Sequence, residues 1–118
     1  MKRKPIKLQR VYDSKTDDDT YRVLVDRLWP RGIKKIDLAI DEWNKSIPPS
    51  TTLRKWFNHE EKHYAEFTTL YREELQQQES ELERLREIAK TETITLLFGA
   101  KDPKINHAVV LRDVLLGK

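Results

Sequence analysis

The sequence predicts an α/β domain in which a small, mostly parallel three-stranded sheet carries helices packed against it. Three observations carry this. Apolar, β-branched runs within residues 21–29 and 93–98 stop abruptly at Pro-Arg-Gly and Gly-Ala, as buried central strands do. The stretch between them is long and mostly of helical period, which is what a crossover between parallel strands requires. The chain has 118 residues, which suits one domain over residues 1–118 with a core of its own.

Taken in order, residues 1–5 are a basic start expected to fray. Residues 6–12 alternate, with Ile6, Leu8, Arg10 and Tyr12 on one side, and read as a strand. Residues 13–20 are an acidic loop in which Asp17, Asp18 and Asp19 are placed to cap a short turn. Residues 21–29 are the central strand. Asp37 is the expected N-cap of a short helix that runs on through Asp41, Glu42 and Trp43. Pro48-Pro49 breaks the chain, and Ser50 or Thr51 caps a helical turn from Leu53 to Phe57, with Trp56 and Phe57 packed inward.

Asn58 followed by Glu61 fits the cap of the next helix. Tyr64, Phe67, Tyr71 and Leu75 give that helix one apolar stripe. Ser80 and Glu83 form a second capping-box pattern, and Leu82, Leu85, Ile88 and Ala89 a second stripe. Residues 59–90 are therefore two helices or one kinked helix. Residues 93–98 are the second central strand. Asp102-Pro103 reads as the cap and first position of a last helix that Gly117 ends. The first strand joins the second by a short link, read as a parallel crossover.

The chain has no Cys, which excludes disulfides, thiolate zinc sites and thiol catalysis. The basic start lacks the apolar segment of a secretory signal, and no run reaches membrane-spanning length, so a cytoplasmic location is expected. The net charge of +3 hides an asymmetry: residues 1–35 hold 11 Lys/Arg against 5 Asp/Glu, and residues 60–92 hold 5 against 10. A basic front attracts anions.

In open α/β sheets ligands bind at the carboxyl ends of the strands. There Asp26, Arg27 and Arg31 meet Lys101, Asp102, Asn106 and His107, and Ser50 joins from the loop after Pro49. The free N–H groups at a helix start favour an anion. Arg27, Arg31 and Lys101 supply charge for a phosphate or carboxylate. Asp102, Asn106 and Ser50 complete the ligand-binding set. His107 is the candidate proton carrier, with Asp26 to orient it or Arg27. The reading is a small anionic ligand, with catalysis open and no cofactor called for.

The segment from Val23 to Gly32, VLVDRLWPRG, resembles the signature of the YeaO-like branch of a large domain-of-unknown-function family, number 488. Arg10-Val11-Tyr12-Asp13, Pro49-Ser50, Leu53-Arg54-Lys55-Trp56-Phe57 with His59, Thr95-Leu96-Leu97, Ala100-Lys101-Asp102 and Asn106-His107 match the same pattern. The resemblance covers nearly the whole chain and implies a small cytosolic α/β domain. It implies no reaction. In the wider family that this chain resembles, the corresponding positions look like a Cys-His-Arg triplet; here they read Asn106-His107-Ala108, so His107 is kept and thiol or Arg chemistry of distant relatives does not carry over.

His59-Glu60-Glu61-Lys62-His63 is a literal HExxH string, and His107 is a third imidazole. The string lies at the polar start of a helix, after Asn58, and no metal site is assigned. Two further readings stand beside the anion site. Tyr12, Tyr21 and Trp29 interleave with the basic front, as in nucleic-acid binders. The acidic helices would serve a ligand-free interaction module whose oligomeric state the sequence leaves open.

Overall fold

The computed structural model describes residues 5–118; the start expected to fray lies, apart from Pro5, outside the described residues. Four strands form one parallel sheet, β1 (Ile6–Arg10), β2 (Tyr21–Leu24), β3 (Glu42–Trp43) and β4 (Ile94–Phe98), in the order β1-β4-β2-β3. The helices are α1 (Thr51–Phe57), α2 (Tyr64–Leu75), α3 (Glu79–Ile88) and α4 (His107–Leu115). None of the helices among the described residues is long and apolar enough to cross a membrane.

The strand period sorts side chains between two cores. Val23 and Val25 of the β2 segment, with Ile94, Leu96 and Phe98 of β4, face the helices and join one cluster with Phe67, Tyr71, Leu85 and Leu111. Leu24 and Leu97 face the other way and pack with Val11, Ile33 and Leu38. That second face is covered by loops and short 3₁₀ turns. All five residues of β4 are buried, which is why it reads as a continuous apolar run.

The sheet has four strands where the sequence predicts three. The extra one, β3, comes from the segment expected to continue a short helix. Asp37 ends a 3₁₀ turn, Lys35–Asp37, that starts after Lys34. The cause is the free edge of β2: a buried strand needs partners for its peptide groups on both sides. Asp41 N–H donates to Arg22 O and Asn44 N–H to Leu24 O, while Asp41 Oδ2 accepts from Arg22 N–H. The first strand is parallel as expected, but it pairs with β4 and not with β2. It ends at Arg10, and Val11–Asp13 turns into a 3₁₀ helix.

Several helix caps differ from the sequence reading. Ser50 caps α1, its Oγ accepting from Leu53 N–H at 3.1 Å, as expected. Asn58 is instead the left-handed C-cap of α1, with φ 47°. Phe57 is buried, but Trp56 stays exposed and stacks on His63. The helical stretch is two helices, α2 and α3, joined by the 3₁₀ turn Gln76–Gln78 and broken at Gln78, whose φ of −118° and ψ of 29° are not helical. Ser80 sits in the first turn of α3, whose N-cap position is held by Gln78. Asp102 is not the cap of α4 either; Asn106 is, accepting from Val109 N–H.

Candidate anion-binding cleft

β2 and β4 are neighbours, so their carboxyl ends open into one place. Val25 N–H donates to Leu97 O and carries the pairing one step past β2. Asp26 follows, and its Oδ2 accepts from Gly99 N–H at 2.8 Å. A Cβ on Gly99 would lie 2.9 Å from that oxygen, so this close approach requires glycine. His107 opens α4 beneath the same point. Its Nε2 is 2.9 Å from Val25 O and 3.1 Å from Asp26 Oδ1. A carbonyl only accepts, so Nε2 carries the hydrogen and spends it on Val25. Asp26 Oδ1 is left buried without a hydrogen bond of its own.

The loop after β3 forms one wall, and four consecutive residues of it are clamped. Tyr71 Oη donates to Ile47 O at 2.6 Å. Arg27 donates through Nη2 to Pro48 O and through Nε to Pro49 O, at 3.1 and 3.0 Å. Ser50 donates its N–H and Oγ–H to the two carboxylate oxygens of Glu74, at 2.8 and 2.6 Å. Proline has no N–H to anchor such a loop, so its carbonyls carry the attachment. Burial pushes the Tyr71 hydroxyl well up, so it remains a donor. Tyr71→Phe leaves the Ile47 carbonyl unpaired in the interior; we expect a stability loss of about 1–3 kcal/mol, read as a shift in the urea midpoint.

The α1 side supplies Arg54, Phe57 and His59. Asn58 and His59 both have positive φ, 47° and 57°. Two non-glycine residues in the left-handed region are costly, and such strain gathers at functional sites. Here it turns the chain so that His59 lines the cleft. Arg54 Nε is buried there without a hydrogen-bond partner. Lys101 and Arg31 stand exposed at the rim, and Arg31 O accepts from Tyr12 Oη at 2.8 Å.

The cleft encloses about 800 Å³. Asp26, Arg27, Arg31, Lys101, Asp102, Asn106 and His107 all line it. Ser50 does not; it lines a smaller pocket of about 300 Å³ that shares Arg27. Asp102 is committed to a turn. Its Oδ1 accepts from Lys104 N–H and Ile105 N–H, and these backbone bonds hold the carboxyl below its ordinary value. Asn106 is buried and spent on Asp102 O and Val109 N–H. Among the described residues, no ion pair takes in Arg27, Arg31, Arg54 or Lys101.

Sequence reasoning missed Arg54, His59 and Tyr71 as members of this place. The first two stood within the family-like segment around Trp56, which was the available signal. Tyr71 was hidden in an apolar stripe. The HExxH string does not form one helical face: His59 lies in the loop, and His63 closes a 3₁₀ turn with Nδ1 3.2 Å from Glu60 Oε2. Among the described residues no group of three His, Cys, Asp or Glu is placed to hold a metal.

Residues 5–118 match the family model described as the inactive DUF488-N3 subclade. The uncharacterised protein YeaO of Escherichia coli (strain K12) is 56% identical over 110 residues, covering 93% of this chain and 96% of the relative. The uncharacterised protein Rv3073c of Mycobacterium tuberculosis (strain H37Rv) is 36% identical over 113 residues, covering 96% and 95%. Mb3100c of Mycobacterium bovis, also uncharacterised, matches to the same extent. No solved structure matches. With a match from Pro5 to the last residue and a YeaO relative of this identity, the chain belongs to the DUF488 family, in its inactive N3 subclade.

Proposed function

We propose that this is a cytoplasmic, non-catalytic binder of a small molecule that joins an anionic group of the phosphate kind to an apolar or aromatic body. The observation that carries the reading is the set of cations on the cleft with no carboxylate paired to them, above all Arg54, whose Nε is buried and unpartnered. An anion relieves both the missing hydrogen bond and the uncompensated charge. Phe57, Phe67 and Trp29 supply apolar wall, and the volume falls in the range of small-molecule sites.

Binding without turnover is favoured by what the cleft lacks. Ser50 lies outside the cleft with its Oγ engaged by Glu74 and Leu53, and the chain has no thiol. The matched subclade is described as inactive. The second reading keeps His107 as a proton carrier with Asp26 as its partner, and their 3.1 Å contact favours it. His107→Gln tests it: lost turnover of a ligand that still binds is its signature.

Arg27 is a poor target for mutation, since it holds the Pro48-Pro49 wall. The informative variant is Arg54→Gln/Lys101→Gln. In a thermal-shift screen against phosphate, sulfate, nucleotides and sugar phosphates, one class raises the melting temperature of the wild type by mass action. The variant binds that class about tenfold or more weakly, as expected when charged hydrogen bonds are lost. No stabilisation by any class, or equal stabilisation of the variant, overturns the proposal and favours a protein partner.

A further inference from the structure

Beside the cleft, and sharing Trp29 and Arg31 with its rim, lies a second basic surface built on Trp43, Lys35 and Lys45, none of which lines the cleft. Trp29 and Trp43 meet edge to face, with ring centroids 5.3 Å apart. Each indole is locked: Trp29 Nε1–H donates to Ile33 O at 2.6 Å, and Trp43 Nε1–H to Asp26 O at 2.7 Å. Lys35 Nζ stands 5.8 Å from the Trp29 ring and 5.9 Å from the Trp43 ring, and Lys45 Nζ stands 4.0 Å from Trp43. Arg31 and Lys34 extend the charge along the same segment. Leu28 and Ile36 there are 62% and 91% exposed.

The cations of this surface outnumber its carboxylates and stand unpaired. No ion pair among the described residues includes Arg31, Lys34, Lys35 or Lys45. Of the neighbouring carboxylates, Glu42 is paired with Arg84 and bonded to Tyr21, while Asp37 and Asp41, the latter bonded to the backbone N–H of Arg22, remain as two local anions among these cations. The acidic helices are different: Glu79, Glu81, Glu83 and Glu87 all pair with Arg84, Arg86 or Lys90.

We infer that Trp29, Trp43, Lys35, Lys45 and Arg31 form a strip that binds single-stranded nucleic acid. Fixed aromatic faces interleaved with mobile cations are what an unpaired strand needs, bases on rings and phosphates on lysines. The rings are set before binding, so little ordering cost remains. A duplex fits poorly, because its bases are stacked away from such rings and no helix rises from this surface to enter a groove. An acidic peptide would use the lysines and leave the indoles idle.

The test measures binding of a short fluorescein-labelled oligo-dT by the full chain across a salt series. Tryptophan quenching is followed in a Trp56→Phe background, so that Trp29 and Trp43 give the signal. The wild type binds with quenching. Lys35→Gln/Lys45→Gln weakens binding about tenfold at low salt and lowers the log–log salt slope by roughly 1.4, the yield of two lost phosphate contacts. Arg54→Gln/Lys101→Gln keeps oligo-dT affinity within about twofold, because it changes the cleft and leaves the strip. Absent binding, or binding unmoved by the lysine changes, overturns the inference. So does poly-Glu binding as tightly as oligo-dT, which marks a surface for acidic proteins. If only the cleft variant loses oligo-dT, the strand end enters the cleft: the strip is then refuted while the cleft stands.

Discussion

Arg22→Ala lowers the unfolding free energy by about 3–5 kcal/mol, the cost of removing one member of a buried charged network. Arg22 sits in the middle of the central sheet and is 1% exposed. It points to the loop-covered face, where helices would otherwise supply the packing. Its Nε donates to Ala39 O at 2.6 Å, its Nη2 to Ser14 O at 2.7 Å and its Nη1 to Asp18 Oδ2 at 3.1 Å. One planar fork thus ties two loops to β2. Alanine leaves a cavity and strips the donor from all three acceptors. Arg22→Lys is no remedy, because a single ammonium cannot reach three divergent partners. Arg22→Met refills the volume only, and a Met variant as stable as wild type would show that the guanidinium contributes nothing beyond packing.

The same network has a pH signature. Burial works to raise the Asp18 carboxyl, but the Thr20 hydrogen bonds and the Arg22 charge outweigh it and hold the group below its ordinary value. A depressed carboxyl contributes stability above its unfolded pKa and loses it as pH falls through the folded one. Arg22→Ala therefore gives up part of the wild type's loss of stability in acid, and urea midpoints measured across acidic pH report it.

Phe67→Ala costs about 3–5 kcal/mol, as large-to-small changes at buried aromatics do. Phe67 is fully buried and stacks on Phe57 at 4.3 Å between ring centroids. Tyr64 and Tyr71 lie 6.0 and 5.6 Å away on the same helix. This aromatic column joins α1 to α2, and its members Phe57 and Phe67 also line the cleft. The variant should unfold at lower urea with an unchanged slope and should bind the cleft ligand more weakly. A loss below about 1 kcal/mol would mean that the column collapses to fill the hole, which the rigidity of the clamped 47–50 loop argues against. Against total stabilities of about 5–15 kcal/mol, either change alone brings the domain near its threshold.

Much of the fold was legible because it is written in local pattern. The apolar runs at Val23–Val25 and in β4, the stripes of α2 and α3 and the Ser50 cap each follow from a few neighbouring residues. The parallel pairing of β2 with β4 followed from the length of the helical connection between them. The strand ends do bring the expected charges together, since Asp26, Lys101 and His107 line one cleft. What the pattern hid was who partners whom. Arg27 looked like an anion ligand and is largely spent on two proline carbonyls. Arg54 looked like an ordinary helix residue and reaches the cleft.

By itself, then, the sequence determined the class, the two central strands and the end of the sheet where charge gathers, because strand and helix periods are properties of consecutive residues. The tertiary structure alone decided that Glu42 and Trp43 become a strand, that Asn106 and not Asp102 caps α4, and that Arg22 can be buried. Each of these satisfies a hydrogen-bonding group supplied by a distant part of the chain or by the path of a loop. Such partners must be found for every buried polar group, and no local period records them.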